Sequence, residues 1–386
     1  MNIAIIHTAF PSGGAERISI DIAEYLSTVH GGQYKVFVYC KRKDEGMMTD
    51  RIKEIMTIRT TGRFGYQRYK NVLRYIREDK IDLVLMSVKY MPGMNAIQKK
   101  TGVKVIYANH GAPFWQKDLI ITQRQTRYPL LWKLFGEKFY VEKGRAMKKA
   151  MARTRKWYDN CDVYTVLCQA YKEETEAALG IRAEDSHIVP IENSEKVVEH
   201  VEWNKEKILL YSGRVVYNIK RVDRLLRIWG RVQNQMSDWK LQIVGSGRDL
   251  NRFKTMADEM HLERVEFLGY QVDVSPYYKK ASLVCLTSER EGWPLALTEG
   301  QANGCIPVSF EISAGVKEIV GENGECGLLV QPYDEEAYAQ TLLKLARMSD
   351  EELLKMRKAG LERRLQFTPE LMCEKWRTLF DTMMKV

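Results

Sequence analysis

The feature that most constrains this chain is a rhythm: short, nearly unbroken apolar runs alternate with stretches of helical periodicity along its whole length. A run such as Leu283-Val284-Cys285-Leu286 shows no polar alternation, so a strand there must be covered on both faces. That is the condition of a parallel sheet lying between helices, built from repeated strand–helix–strand units. The pattern predicts strands at Asn2–His7, Lys35–Cys40, Asp82–Ser87, Lys104–Ala108, Asp162–Cys168 and His187–Pro190. A second series follows at Ile208–Tyr211, Lys240–Val244, Val265–Leu268, Leu283–Thr287, Ile306–Ser309 and Leu328–Val330. With 386 residues there is chain enough for two α/β domains, each with its own core. The polar stretch Glu192–Lys207 reads as the linker, giving domains at 1–195 and 206–367. A last helix at 368–386 carries Leu371, Met372, Trp376, Leu379, Phe380 and Met383 at helical spacing, an apolar face that suits capping either domain.

Composition removes several classes. Hydrophobic residues at 45% and charged residues at 28% describe a globular protein. The N-terminal Met1-Asn2-Ile3-Ala4-Ile5-Ile6-His7 lacks a basic leader region and reads as a first strand, and no window approaches a membrane-spanning helix. Seven cysteines without CxxC or metal-type spacing fit reduced thiols of a cytoplasmic protein, with Cys40, Cys168 and Cys285 in apolar strands. The net charge of +10 is concentrated: residues 116–158 hold twelve basic and three acidic side chains, a local excess of +9. Tyr128, Leu130, Leu131, Trp132, Leu134, Phe135, Phe139, Tyr140 and Val141 are interleaved with them. Cations mixed with aromatics and leucines suit an anionic membrane surface. Nucleic acid is the rival partner, but nothing resembles a recognition helix or an RNA-binding module.

Chemistry-bearing residues gather after predicted strands. Ser288–Gly304 places Glu291 and Glu299 around a Gly292-Trp293-Pro294-Leu295 turn, with a helix expected to begin at Pro294. A turn feeding a helix N-terminus offers unpaired N–H groups to phosphate, and flanking carboxylates offer acceptors to hydroxyls. That combination suits a nucleotide sugar. Gly213-Arg214, with Lys220 six residues on, puts two cations at a strand end, while Arg221 and Arg224 read as solvated. Pro11-Ser12-Gly13-Gly14-Ala15-Glu16-Arg17 follows the first strand, and His110 follows the strand at 104–108. There is no GxxxxGK[ST] loop, no HExxH and no DxD pair for a divalent metal.

These motifs together resemble the GT4 family of retaining glycosyltransferases, glycosyl transferases group 1, over nearly the full length. Gly13-Gly14-Ala15-Glu16-Arg17, His110, Gly213-Arg214…Lys220, Val244-Gly245-Ser246-Gly247 and Glu291…Glu299 carry the resemblance. It implies a GT-B fold, two Rossmann-like doubly wound domains facing each other across a cleft, with the last helix, 368–386, crossing back to the first domain. It further implies that Arg214 and Lys220 hold the diphosphate, Glu291 the donor sugar and Glu299 the ribose. The Gly292–Leu295 amides and Gly13–Gly14 would meet the phosphates, His110 the sugar, and Leu268, Gly269 and Tyr270 the base. Catalysis would need no cofactor and no metal and would retain configuration, with a UDP-sugar as donor and a lipid-linked or other surface-glycan precursor as acceptor. Residues 116–158 would dock the protein on the inner face of the plasma membrane. The sequence departs at Arg221, where glycine is commoner, and at Trp293-Pro294, in place of Phe-Gly, which puts the sugar pocket in question. A nucleotide-sugar-binding regulatory protein without turnover is the alternative, and the intact Arg214, Lys220, Glu291 and Glu299 set weighs against it.

Overall fold

The computed structural model describes residues 1–11, 14–29, 32–62, 65–87, 90–322 and 324–385. The chain divides into two compact units, Met1–Asn193 with Glu370–Val386, and Ser194–Pro369. The first is built on β1 (Asn2–Phe10), β2 (Lys35–Lys43), β3 (Met56–Thr60), β4 (Leu83–Ser87), β5 (Lys104–Ala108), β6 (Val163–Val166) and β7 (Ile188–Pro190). They pair in the order β3-β2-β1-β4-β5-β6-β7, parallel at every junction. The second unit holds β8 (Glu206–Ser212), β9 (Lys240–Val244), β10 (Val265–Gly269), β11 (Ala281–Leu286), β12 (Ile306–Phe310) and β13 (Leu328–Val330). Their order is β10-β9-β8-β11-β12-β13, again all parallel. Both units are therefore Rossmann-like.

In each sheet the first strand lies inside, and the chain walks outward on one side before returning to start again on the other. Crossovers of one hand then place helices on opposite faces, and the loops leaving β8 and β11 diverge. β11 is buried at all six positions, which is why its sequence shows no alternation. Its neighbours pack into a core with Leu209, Trp229, Ile243, Phe253 and Val308.

The core of the first unit joins Ile3, Ile5, Val38, Leu83 and Ile106 to the helix Pro369–Lys385 through Met372, Cys373, Trp376 and Phe380. The polar edge of that helix is fixed as well. The Tyr25 and Tyr34 hydroxyls donate to Glu374 (2.9 Å) and Asp381 (2.6 Å), and Lys375 pairs with Glu192 at 2.5 Å.

Several local expectations need correction. β1 runs three residues past His7, to Phe10, so Pro11 follows the strand directly. β3 was not expected: Met56-Thr-Ile-Arg-Thr60 is an edge strand, half polar and too short to stand out by periodicity. Cys168 lies outside β6, at the N-cap of the helix Gln169–Leu179. Pro294 precedes its helix (Leu295–Ala302) as the N-cap rather than lying in the first turn. The start of the expected linker is not a loose tether, since Asn193, Ser194 and Glu195 are buried and the Glu195 N–H donates to the Phe367 carbonyl at 3.1 Å. All seven cysteines are free thiols, five of them buried.

Trp376 is 2% exposed, whereas Leu371 on the same helix is 50% exposed. Trp376→Ala should lower stability by about 3–5 kcal/mol in urea denaturation, and Leu371→Ala by less than about 0.5 kcal/mol. Equal effects would mean that this helix is not seated on the first unit in solution.

Candidate functional site

In the second unit the order reversal falls between β8 and β11. Open α/β sheets take ligands at such a point, outside the carboxyl ends of the strands. Lys220, on the short helix Tyr217–Lys220 that follows β8, donates from Nζ to Glu291 Oε1 at 2.7 Å. Glu291 follows β11, so this bond spans the crevice. Ser288 Oγ donates to the same oxygen at 2.7 Å. The Lys220 and Glu291 side chains are only 17% and 12% exposed, so the ammonium and carboxylate are held in place rather than solvated. Arg214 is exposed and has no carboxylate partner among the described residues. Its carbonyl accepts the Tyr211 hydroxyl at 2.8 Å, which pins the turn beneath it. Burial pushes the Tyr211 hydroxyl pKa well up, and the Glu291 charge adds to this.

Arg221 and Arg224 are not the solvated cations expected. Arg224 is 7% exposed and donates to Glu289 at 2.7 Å, with its guanidinium 4.2 Å from the centre of the Tyr333 ring. Arg221 donates to Glu289 (3.0 Å) and to Asp223 (2.9 Å). Backbone bonds complete the clamp: the Glu289 N–H donates to the Ile219 carbonyl at 2.7 Å, and Thr287 Oγ1 donates to the Arg221 carbonyl at 3.1 Å. Burial alone would raise the Asp223 pKa, but Arg221 and Arg227 hold its carboxyl below the usual range. This network bolts the loop after β11 to the turn after β8. It fixes the two elements that carry Lys220 and Glu291.

The neighbouring loops are stitched to the same edge. The Gly213 N–H donates to Val244 O (3.0 Å), Val215 N–H to Ser246 O (2.9 Å) and Gly245 N–H to Gly269 O (2.7 Å). Gly245 has φ +136°, and a Cβ there would lie 1.9 Å from the Gly213 carbonyl oxygen, so only glycine fits. Gly269 adopts φ +69° at the end of β10, with Tyr270 69% exposed beyond it, and the Leu268 carbonyl accepts from Gln271 Nε2 at 2.8 Å. Glu299, half-buried in the helix Leu295–Ala302, accepts the Tyr278 hydroxyl at 2.8 Å. Gly292 and Leu295 are half-buried at the mouth of that helix. Trp293 departs from expectation: its ring is 5% exposed and packs edge-on against Phe367 with centroids 5.1 Å apart. Pro294 is buried beside it. A large apolar ring next to an apolar interior turns inward, so this pair offers a ligand backbone rather than side chains.

In the first unit His110 follows β5, half-buried, with Nδ1 donating to Asn193 Oδ1 at 3.1 Å. Burial pulls the imidazole pKa down to about 4; the Asn193 bond opposes this and His7 reinforces it. The neutral ring then presents Nε2 as an acceptor. Sequence placed Asn193 just before the linker but not beside His110, because the two lie 83 residues apart. His7 was also missed. It is 1% exposed on β1, with Nε2 2.9 Å from Ser19 Oγ and Nδ1 3.2 Å from Glu16 Oε1. Of the glycine pair, Gly14 opens the helix Gly14–Val29, and Gly13 lies outside the described residues. Among the described residues no group of three or more His, Cys, Asp or Glu side chains is placed to hold a metal ion.

The basic segment is helical almost throughout, with long stretches at Gln116–Arg127, Trp132–Glu142 and Arg145–Tyr158 and a short turn at Pro129–Leu131. The middle one is wound as a π-helix, closed by the Lys143 N–H on the Lys138 carbonyl at 3.0 Å. Leu130, Leu131, Leu134 and Phe135 are 78%, 59%, 68% and 55% exposed. No helix among the described residues is long and apolar enough to cross a membrane.

Residues 12–191 match the family model described as Glycosyltransferase Family 4, and residues 193–363 the model described as Glycosyl transferases group 1. The chain belongs to the family 4 glycosyltransferases. Among its relatives is an uncharacterized glycosyltransferase of Haemophilus influenzae, 30% identical over 61% of this chain and 66% of that protein. Another is the Campylobacter jejuni GalNAc-alpha-(1->4)-GalNAc-alpha-(1->3)-diNAcBac-PP-undecaprenol alpha-1,4-N-acetyl-D-galactosaminyltransferase, 24% identical over 89% of this chain and 88% of its own. Four curated relatives, the Haemophilus protein included, are matched over only 23–66% of their own length. The fold is that of Anabaena HepE, solved with UDP-glucose, at a TM-score of 0.71 and 15% identity over 99% of this chain and 100% of that one.

The pKa of His110 carries a sign that can be tested. Between pH 6.5 and about 4 the unfolded chain takes up a proton at this site that the folded chain refuses, so His110 should make stability fall as pH drops through that window. His110→Gln should flatten this part of the pH–stability profile, and NMR should find the native imidazole titrating near 4. A midpoint close to 6.5 would contradict the burial assigned to it.

Proposed function

We propose that this protein is a retaining glycosyltransferase that moves a sugar from a nucleotide diphosphate donor, by preference a UDP-sugar, to a lipid-linked or other surface-glycan precursor. The Lys220–Glu291 bond across the order reversal of the second sheet, with unpaired Arg214 beside it, is the observation that carries this reading. A diphosphate entering there meets Arg214 as a bidentate donor and Lys220 as a point charge. Lys220 leaves Glu291 for the phosphate, and the freed carboxylate turns to hydroxyls of the sugar. Both cations stabilise charge as it develops on the departing nucleotide, which is where electrostatic preorganisation acts. With two cations for the leaving group, this reading requires no metal. The diphosphate departs on the face from which the acceptor arrives, so configuration is retained. Glu299 reaches the ribose, the Gly292–Leu295 backbone and Gly13–Gly14 the phosphates, Gly269 and Tyr270 the base, and neutral His110 accepts a hydrogen bond from the donor sugar. The relative acting on a diphospho-undecaprenol-linked glycan supports the acceptor class. The HepE complex with UDP-glucose supports the donor. The cationic, apolar segment 116–158 docks the protein on the anionic inner face of the plasma membrane.

UDP should raise the melting temperature in the presence of EDTA, and Arg214→Ala should abolish the shift. Lys220→Ala should lower kcat by roughly 10²–10³-fold in a transfer assay. A UDP shift that requires added magnesium would remove the metal-free part of the reading. A UDP shift without any transfer or hydrolysis of a nucleotide-sugar panel would favour the binding-only alternative. Docking is tested by co-sedimentation with anionic vesicles, which should fall steeply as salt screens the surface. Equal binding to neutral vesicles in high salt would rule out electrostatic docking.

A further inference from the structure

Within the basic segment lies an open-mouthed cavity of about 290 Å³, bordered by the end of the helix Gln116–Arg127, the π-helical stretch and the start of the helix Arg145–Tyr158. Its lining includes Tyr128, Trp132, Phe135 and Phe139, together with two guanidinium groups, Arg124 and Arg145, and no carboxylate. Gly136 is what allows this shape. A Cβ there would lie 2.4 Å from the Trp132 ring, so glycine lets the indole fold down over the helix as a wall. Trp132 then lies nearly parallel to Tyr140, with centroids 6.1 Å apart.

The two arginines are held by ring faces instead of acids. Arg145 lies 4.6 Å from the Phe139 centroid, and Arg124 lies 5.6 Å from Tyr128 and 5.4 Å from Tyr140. A guanidinium resting on an aromatic face keeps its N–H edge available for an oxyanion. Neither has a carboxylate partner among the described residues. The interior therefore suits hydrocarbon, and the cations that line it suit phosphate. Around it Leu130 and Leu134 are 78% and 68% exposed, an apolar collar whose exposure to water is unfavourable unless lipid covers it. The volume is at the bottom of the ~300–1,000 Å³ range of small-molecule sites, which fits one chain rather than two.

We propose that this cavity binds the phosphate end of a single-chain lipid phosphate, with the first carbons of the chain among Trp132, Phe135 and Phe139 and the phosphate on Arg124 and Arg145. The proposal rests on the reading that the acceptor is carried at a membrane, and it gives the segment a specific ligand in place of general surface charge. Bound this way, the lipid's head is held on the unit that carries His110.

The test is calorimetric titration of the full-length protein with decyl phosphate below its micelle concentration. Decyl maltoside, dihexanoyl phosphatidic acid and inorganic phosphate serve as comparators. Decyl phosphate should bind at least tenfold more tightly than decyl maltoside or the two-chain acid, and millimolar phosphate should not displace it. Arg124→Gln/Arg145→Gln and, separately, Phe135→Ser should each weaken binding at least tenfold, while UDP still raises the melting temperature of both variants. That retained shift shows that the variants fold and reads the nucleotide site independently, so failure of one proposal is separable from failure of the other. Four results would overturn the cavity's assignment: no binding, equal binding of the maltoside, full competition by phosphate, or unchanged affinity in both variants. Tighter binding of the two-chain acid would overturn it in favour of an ordinary bilayer phospholipid site.

Discussion

The order of strands in the second sheet controls everything that follows. Because β8 lies inside and the chain restarts at β11 on its other side, the two loops leaving these strands diverge and cannot close over the sheet edge. The gap they leave is lined by backbone N–H groups and by whatever side chains the loops carry. Here those side chains are Lys220 from one loop and Glu291 with Ser288 from the other. Glu291 thus holds the ammonium in position, and in the proposed reaction this limits the reorganisation needed for a diphosphate to take its place.

Such a pair is useful only if its two loops hold still, and the surrounding residues provide for that. Glu289 accepts from both Arg221 and Arg224, and its own N–H donates to Ile219. Arg221, at φ +49°, sits in the left-handed region between the helix ending at Lys220 and the one starting at Val222. A glycine there would adopt that conformation more easily but would lose three hydrogen bonds to Asp223 and one to Glu289. The departure from the commoner glycine exchanges backbone ease for a side-chain clamp.

Much of this was legible in the sequence, for identifiable reasons. Strands buried on both faces announce themselves as continuous apolar runs, so twelve of the thirteen strands among the described residues were anticipated, and the polar edge strand at 56–60 was not. Motif residues that follow strands could be placed at the carboxyl edge, because the strand ends locate them. Partnerships between distant residues were out of reach. His110 with Asn193, Arg224 with Glu289, and Trp293 with Phe367 are each separated by 65 residues or more. Arg221 and Arg224 looked solvated because sequence shows their charge and not the carboxylate that a loop 65 residues away brings to them. The cavity in the basic segment was hidden for a related reason: the spacing of Trp132, Gly136 and Tyr140 becomes a wall only once the helix is wound to place those rings together.

The central claim is that a nucleotide diphosphate lies across the divergence of β8 and β11. Hydrogen–deuterium exchange with and without saturating UDP reads this directly, segment by segment. Slowed exchange is expected in 213–220 and 288–299, the two loops joined by Lys220 and Glu291, with β12 and β13 unaffected. Binding of UDP that leaves both loops exchanging at their free rate would contradict the claim.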